Sequence, residues 1–285
     1  MTYQLILGDC IEGMRAMADK SVDVVCSDPP YSEHVHKSAR TMAGMYRDTD
    51  EMQACSARRL ELGFNHLTSD DLEAIATQYG RLTKRWALVF SDTESAHLWR
   101  EAMERAGLQY VRTCFWHKLA GAPQFTGDRP AVSLEAITAC ATPDTAAEYL
   151  EDVVAITCCH QAGRKRWNGG GKQGLYPFPI VQSSKNAPRL HTTQKPVDLM
   201  RALISDFTNP GELVLDSHAG SGTTGAACIE LGRDFIGFEK DPKHHAIATA
   251  RLARCVVDIG AVQRQGLLAL PKPKQLTLSS DLDLP

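Results

Sequence analysis

The chain has no apolar run near the roughly 18 residues that a membrane-spanning helix needs, and its N-terminus lacks a basic-then-apolar leader. Both absences predict a soluble, cytoplasmic protein without a membrane partner. There is no internal repeat, which excludes solenoids and propellers. None of the nine cysteines forms a C-x-x-C pair, and the adjacent Cys158 and Cys159 suit neither an ordinary disulfide nor a zinc clip. The thiols are therefore expected to be reduced and mostly buried, with no metal site. A strong charge of either sign is also missing, since the net charge is −3. One stretch, however, lacks acid altogether. From Val153 to Val197 there is no Asp or Glu, against seven basic residues that include Arg164, Lys165, Arg166 and Lys172. A local basic run in an acidic chain is either a solvated loop or a contact for phosphate groups.

What is present is an alternation of strand-like and helix-like segments. Its 285 residues suffice for one large α/β domain with an excursion. Strands are predicted at Tyr3–Leu7, Val22–Cys26, Trp86–Phe90, Leu108–Trp116, Leu134–Ala141, Glu212–Asp216 and Asp234–Phe238. Helices are predicted at Ile11–Ala18, Asp70–Leu82, Glu94–Ala106, Pro196–Phe207, Ala226–Leu231 and Pro242–Cys255. Such alternation implies a twisted, mainly parallel sheet with helices on both faces, a doubly wound α/β fold. Residues 1–261 are assigned to this domain, with the Gly- and Pro-containing interval 119–189 as an insertion and 262–285 as a loosely held tail. Ser32–Leu67 is polar and without period, a length typical of binding loops.

Two motifs carry chemistry. Asp28-Pro29-Pro30-Tyr31 follows the apolar run Val22–Cys26. Consecutive prolines carry no N–H, so this turn presents a carboxylate and carbonyls as acceptors, with an aromatic ring beside them. That combination suits an exocyclic amino group, although a strand-to-loop turn with Tyr31 as packing reads equally well from this segment alone. The second motif runs from Asp216 through Ala219, Gly220, Ser221, Gly222, Thr223 and Gly225 to Glu239. Strand, glycine turn, helix, strand and terminal acid, in that order, describe a nucleotide site whose acid can accept hydrogen bonds from ribose hydroxyls.

Together with His191-Thr192-Thr193-Gln194-Lys195-Pro196, these motifs resemble the amino-group DNA methyltransferases that act on adenine N6 or cytosine N4. Target motif first and cofactor motif last is the order of the circularly permuted beta group, and the resemblance runs from Gly8-Asp9 through Glu239. It implies the seven-stranded methyltransferase sheet, with interval 119–189 as the target-recognition region. It implies S-adenosylmethionine as methyl donor, with Asp9 at the adenine edge, Glu239 on the ribose, and Thr193 and Lys195 facing the methionine carboxylate. Asp216 would anchor the turn or meet the ammonium. Double-stranded DNA is the implied partner, with Arg164, Lys165, Arg166, Trp167 and Lys172 as its contacts. A homodimer and a cognate restriction endonuclease are left open. Asp28 and the Pro29 carbonyl would take the amine hydrogens while Tyr31 stacks on an extruded base. Trp116 is either the opposite wall or a core residue. Asp at the first motif position favours adenine, with cytosine N4 as the alternative. The absence of any Pro-Cys dipeptide argues against attack at cytosine C5.

One departure stands out. The family commonly has Asp-Pro-Phe-Ala-Gly where this chain has Asp216-Ser217-His218-Ala219-Gly220, which predicts a looser turn and a weaker or pH-dependent cofactor site. An inactive DNA-binding relative would be consistent with that change. An NAD-dependent oxidoreductase fits the glycines alone, but too little chain follows them for a second nucleotide-binding half.

Overall fold

The structure, a computed structural model, describes residues 1–31, 67–93, 95–119, 153–161, 167–181 and 194–264. Its strands are β1 (Tyr3–Leu7), β2 (Val22–Ser27), β3 (Thr83–Ser91), β4 (Gln109–Leu119), β5 (Val153–His160), β6 (Leu175–Pro179), β7 (Leu213–Asp216) and β8 (Asp234–Glu239). They form one sheet in the order β1-β8-β7-β2-β3-β5-β4-β6. The first five in that order run parallel, β5 is antiparallel to both its neighbours, and β6 is parallel to β4.

The helices are α1 (Cys10–Arg15), α2 (Ser69–Leu82), α3 (Ala96–Arg105), α4 (Val197–Phe207), α5 (Thr223–Glu230) and α6 (Pro242–Arg264). Each central strand is covered on both sides, so it reads as an apolar run rather than as an alternation. One core joins Val24, Val214 and Phe235 of the sheet to Leu199, Leu203, Ile229 and Leu252 of α4, α5 and α6. On the other face Val25, Leu215 and Ile236 meet Met14, Ile75, Tyr79 and Trp99 of α1, α2 and α3. Successive strand residues thus feed opposite cores, as the two-residue period requires. Thr68 starts α2 with a reciprocal capping box to Asp71, which fixes where that helix begins.

The doubly wound α/β class is as expected, but the sheet has eight strands among the described residues, not seven. Interval 119–189 is also not wholly an insertion. It supplies β5, a buried strand between β3 and β4, and β6 at the sheet edge. The last helix continues past Cys255 to Arg264, so the assigned tail begins inside it. The strand expected at 134–141 and nearly all of the 32–67 connection lie outside the described residues. The two ends of that connection meet, for Leu67 N donates to Tyr31 O at 3.4 Å. No described helix is long and apolar enough to cross a membrane.

Candidate active site

Strands β1, β8, β7 and β2 are parallel neighbours, so their carboxyl ends share one rim, the place where open α/β sheets bind ligands. Gly8 and Asp9 follow β1, Glu239 ends β8, Asp216 ends β7, and Asp28 follows β2. Residues far apart in the chain thereby line a single cavity of about 700 Å³, ample for a nucleoside-sized ligand.

At one end lies the glycine turn. Gly220 and Gly222 adopt φ of 53° and 75°, a left-handed conformation that only glycine takes without strain. A Cβ on Gly222 would lie 3.1 Å from the Ala248 Cβ, and one on Gly225 would lie 2.8 Å from the Phe235 ring. The second and third glycines therefore also let α6 and β8 pack closely. Gly220 instead faces open space, with nothing nearer its notional Cβ than His218 O at 4.0 Å. Asp216 is buried, and its Oδ1 and Oδ2 accept from His218 N at 3.0 Å and Thr224 Oγ1 at 2.6 Å. It anchors the turn. Burial pushes its carboxyl up to about 6, against the pull of those two donors. Ala219 N donates to Phe238 O at 2.9 Å, and Arg251 donates to Ser221 O at 3.3 Å and Thr223 Oγ1 at 2.9 Å.

Glu239 accepts from Gly220 N at 2.7 Å and from Asp241 N at 2.8 Å. Asp9 caps α1 through Ile11 N at 2.9 Å, and Lys240 Nζ lies 3.4 Å from its other oxygen. Burial works to raise the Asp9 pKa, but the Glu12 and Ile11 amides and Lys240 outweigh it and hold it below the usual value. Each carboxylate has about four lone-pair sites, so both keep acceptor capacity toward the cavity. Two anionic acceptors, a bare glycine turn and this volume fit the ribose and adenine of S-adenosylmethionine. Thr193 lies outside the described residues.

The Ser217-His218 departure turns out to be a hydrogen-bonded network. Ser217 Oγ lies 2.9 Å from Ser27 Oγ, 2.5 Å from Tyr79 Oη and 2.8 Å from His218 Nδ1. Ser27 precedes Asp28, so these hydroxyls tie the cofactor turn to the target motif. The expected loosening is compensated. Burial pushes His218 down to about 4, with Asp28 and Asp9 pulling weakly the other way. The imidazole is therefore neutral at neutral pH. Tyr79 and Ser27 were missed from sequence, because a core tyrosine and a strand-end serine carry no local signal.

At the other end Asp28 Oδ2 forms an ion pair with Lys195 Nζ, while its Oδ1 is buried with no hydrogen-bond partner among the described residues. Lys195, expected at the cofactor carboxylate, is turned instead toward the target motif. Its ammonium lies 5.5 Å from the Tyr31 ring centroid, 5.3 Å from Phe90 and 5.9 Å from Trp116, within cation–π range. Phe90, next to the last residue of β3, lies at the same rim and lines the cavity, a position that strand-end logic could have found. Trp116 is a core residue whose Nε1 donates to Phe178 O at 2.8 Å, which decides between the two readings given it.

Two residues expected to contact DNA have other partners. Trp167 packs on Phe207 with centroids 6.4 Å apart, and a Cβ on Gly169 would strike its ring at 2.4 Å. Lys172 pairs with the buried Asp206 at 2.8 Å. Both help seat the segment before β6 on α4. Arg164, Lys165 and Arg166 lie outside the described residues.

A model of the DNA methylase family, named for its N6 and N4 methyltransferases, matches residues 22–250. The type II methyltransferase M.HinfI of Haemophilus influenzae is 25% identical over 255 residues, spanning 87% of this chain and 67% of that protein. The putative methylase YubD of Escherichia coli (strain K12) is 27% identical over 252 residues, spanning 88% and 90%. Among solved structures, M1.HpyAVI in complex with SAM matches with a TM-score of 0.60 at 22% identity, covering 88% of this chain and 99% of that one. The cytosine-N4-specific PvuII DNA methyltransferase matches at 0.62 and 14%, covering 93% and 94%. At such identities the structural matches speak to the fold.

Proposed function

The chain belongs to the N6/N4 family of DNA methylases, which use S-adenosylmethionine, and from that premise we propose that it methylates the N6 amino group of a specific adenine in double-stranded DNA. The observation that carries this reading is the shared cavity, lined by Asp28, Pro29, Pro30 and Tyr31 at one end and by Gly220 and Glu239 at the other. When bound, S-adenosylmethionine supplies an electrophilic methyl group on a sulfonium.

The chain's own residues answer the difficulty of the acceptor. An aromatic amine is a weak nucleophile because its lone pair is delocalised into the ring. The Asp28 carboxylate and the Pro29 carbonyl, accepting its two hydrogens, favour a pyramidal nitrogen whose lone pair is free to attack. Asp28 then takes the proton that the methylated nitrogen must lose. No covalent enzyme intermediate is required. The base must leave the duplex to reach this site, at a cost of a few kcal/mol, and stacking on Tyr31 would offset about 1–3 kcal/mol. Asp at position 28 supports adenine over cytosine N4, following the pattern of the family.

Single-molecule sequencing of DNA from cells expressing the protein tests this reading, because it reports the modified base and its context together. N6-methyladenine at a fixed sequence is expected. N4-methylcytosine at a fixed sequence would move the assignment to the other branch, and unmodified DNA would remove it.

A further inference from the structure

Lys195 is held unusually firmly for a cavity lysine. Pro196 follows it with φ −62° and ψ 136° and precedes the first turn of α4. A proline restricts the residue before it to extended backbone, so Lys195 leaves a rigid helix start. That helix is locked by Leu199, Leu203 and Ile204, all fully buried. The Lys195 side chain is 10% exposed. A lysine this enclosed needs compensation for its lost hydration, and it receives an anion, Asp28, and the faces of Tyr31, Phe90 and Trp116.

Two of those groups, Asp28 and Tyr31, are the ones the proposed chemistry reserves for the target. Asp28 is the acceptor for the exocyclic amine and Tyr31 is the stacking face. The Asp28 Oδ2 atom is engaged by an amine of the protein itself. We propose that Lys195 is an internal occupant of the target-amine position: its ammonium fills the acceptor and aromatic site until the flipped base displaces it. This rests on the reading of Asp28 as the target acceptor. Lys195 is thus a positioning residue that acts through Asp28. It keeps the carboxylate oriented and hydrogen-bonded in the DNA-free protein, and it sets a threshold that an incoming base must pass. A base that presents an amino group can replace its hydrogen bond to Asp28. Thymine presents no exocyclic amine, so it cannot. The site then discriminates at the moment of entry as well as during transfer, since failing to replace a buried polar contact is costly.

The test uses Lys195→Met, which keeps the stem and removes the charge, and Lys195→Gln as a second variant should methionine disturb folding. Three quantities are read on full-length protein: affinity for S-adenosylmethionine without DNA by calorimetry, and KM and kcat for unmethylated bacteriophage DNA. With the occupant gone, KM for DNA should fall by roughly three- to tenfold, the effect of removing a partly buried ion pair of modest net strength. Cofactor affinity should stay within about twofold, because the ammonium lies on Asp28. A tenfold loss of cofactor affinity would overturn the proposal by placing the ammonium on the methionine carboxylate. A raised KM would overturn it by making Lys195 a DNA contact, and an unchanged KM would show that the pair presents no threshold. A second readout needs no turnover. In protein carrying ¹⁵N-lysine, the Lys195 ammonium signal, assigned by its loss in Lys195→Met, should persist with S-adenosylmethionine and shift on adding target duplex. If the wild-type protein methylates no DNA, the function reading itself has failed. Active wild type with the wrong variant behaviour sinks only the role of Lys195.

Discussion

Replacing His218 by Phe, the family's common residue, isolates a single protonation equilibrium. Burial holds the native imidazole down at about 4, against 6.5 for an unperturbed group. A base whose folded pKa is depressed contributes stability that is fully present above the unfolded value and is lost as pH falls through the folded one. Between about pH 6.5 and pH 4 the unfolded chain takes up a proton that the native protein refuses. At about pH 5 this costs the wild type about 2 kcal/mol relative to about pH 7.5, from the two pKa values through proton linkage. Phenylalanine cannot take up that proton, so the variant escapes the loss. It should therefore gain about 2 kcal/mol on wild type between the two pH values, whatever its constant offset from lost hydrogen bonds to Ser217. Asp216 has the opposite sign. Its pKa is raised from 3.8 to about 6, so its contribution is present at low pH and is lost as pH rises through the native value. The two oppose each other in the wild type and flatten its acid profile, but Asp216 is common to both proteins and cancels in the comparison. Urea denaturation of both proteins at the two pH values gives the difference directly. Equal wild-type-to-variant gaps at both would refute the reasoning, because they would mean His218 titrates alike folded and unfolded.

Asp28→Ala should lower methyl transfer by about 10²-fold or more through loss of the proton acceptor, while calorimetry finds cofactor affinity nearly unchanged. Glu239→Ala should do the reverse, weakening S-adenosylmethionine by about tenfold or more through lost charge-assisted hydrogen bonds, with DNA retention on a filter largely kept. Gly222→Ala forces a side chain into φ 75° and against Ala248. It should cost about 1–2 kcal/mol of stability, seen as a lower Tm, and disturb cofactor binding before DNA binding.

The motifs were legible because they are built from residues that constrain their own backbone. Gly220 and Gly222 take positive φ, and Pro29 and Pro30 remove donors, so each leaves a mark at its own position. Strand β5 leaves none. Val153–His160 is a short, mostly apolar run whose partners are β3 and β4, and nothing within it specifies antiparallel pairing with either. Strand β6 misleads outright, for Pro177 and Pro179 argue against a strand. They are tolerated because β6 pairs on one side only, with β4, at the sheet edge. Lys172 has a partner that its own segment does not announce. Its basic neighbours suggested phosphate, yet its counter-charge is Asp206, 34 residues away on α4.

The Ser217-His218 departure marks where reading by residue stops. Sequence shows that a proline and a phenylalanine are missing and that the turn has lost a covalent restraint. What replaces the restraint comes from elsewhere, since Ser27 is 190 residues and Tyr79 is 138 residues from Ser217. Three buried hydroxyls, from β2, α2 and the turn after β7, must each find a partner, because an unmatched one would cost about 1–3 kcal/mol. They find one another. That requirement ties the residue before Asp28 to the residue after Asp216, so the target and cofactor motifs are positioned by the same bonds. A change at Ser217 should therefore move the Asp28 carboxylate as well as the glycine turn.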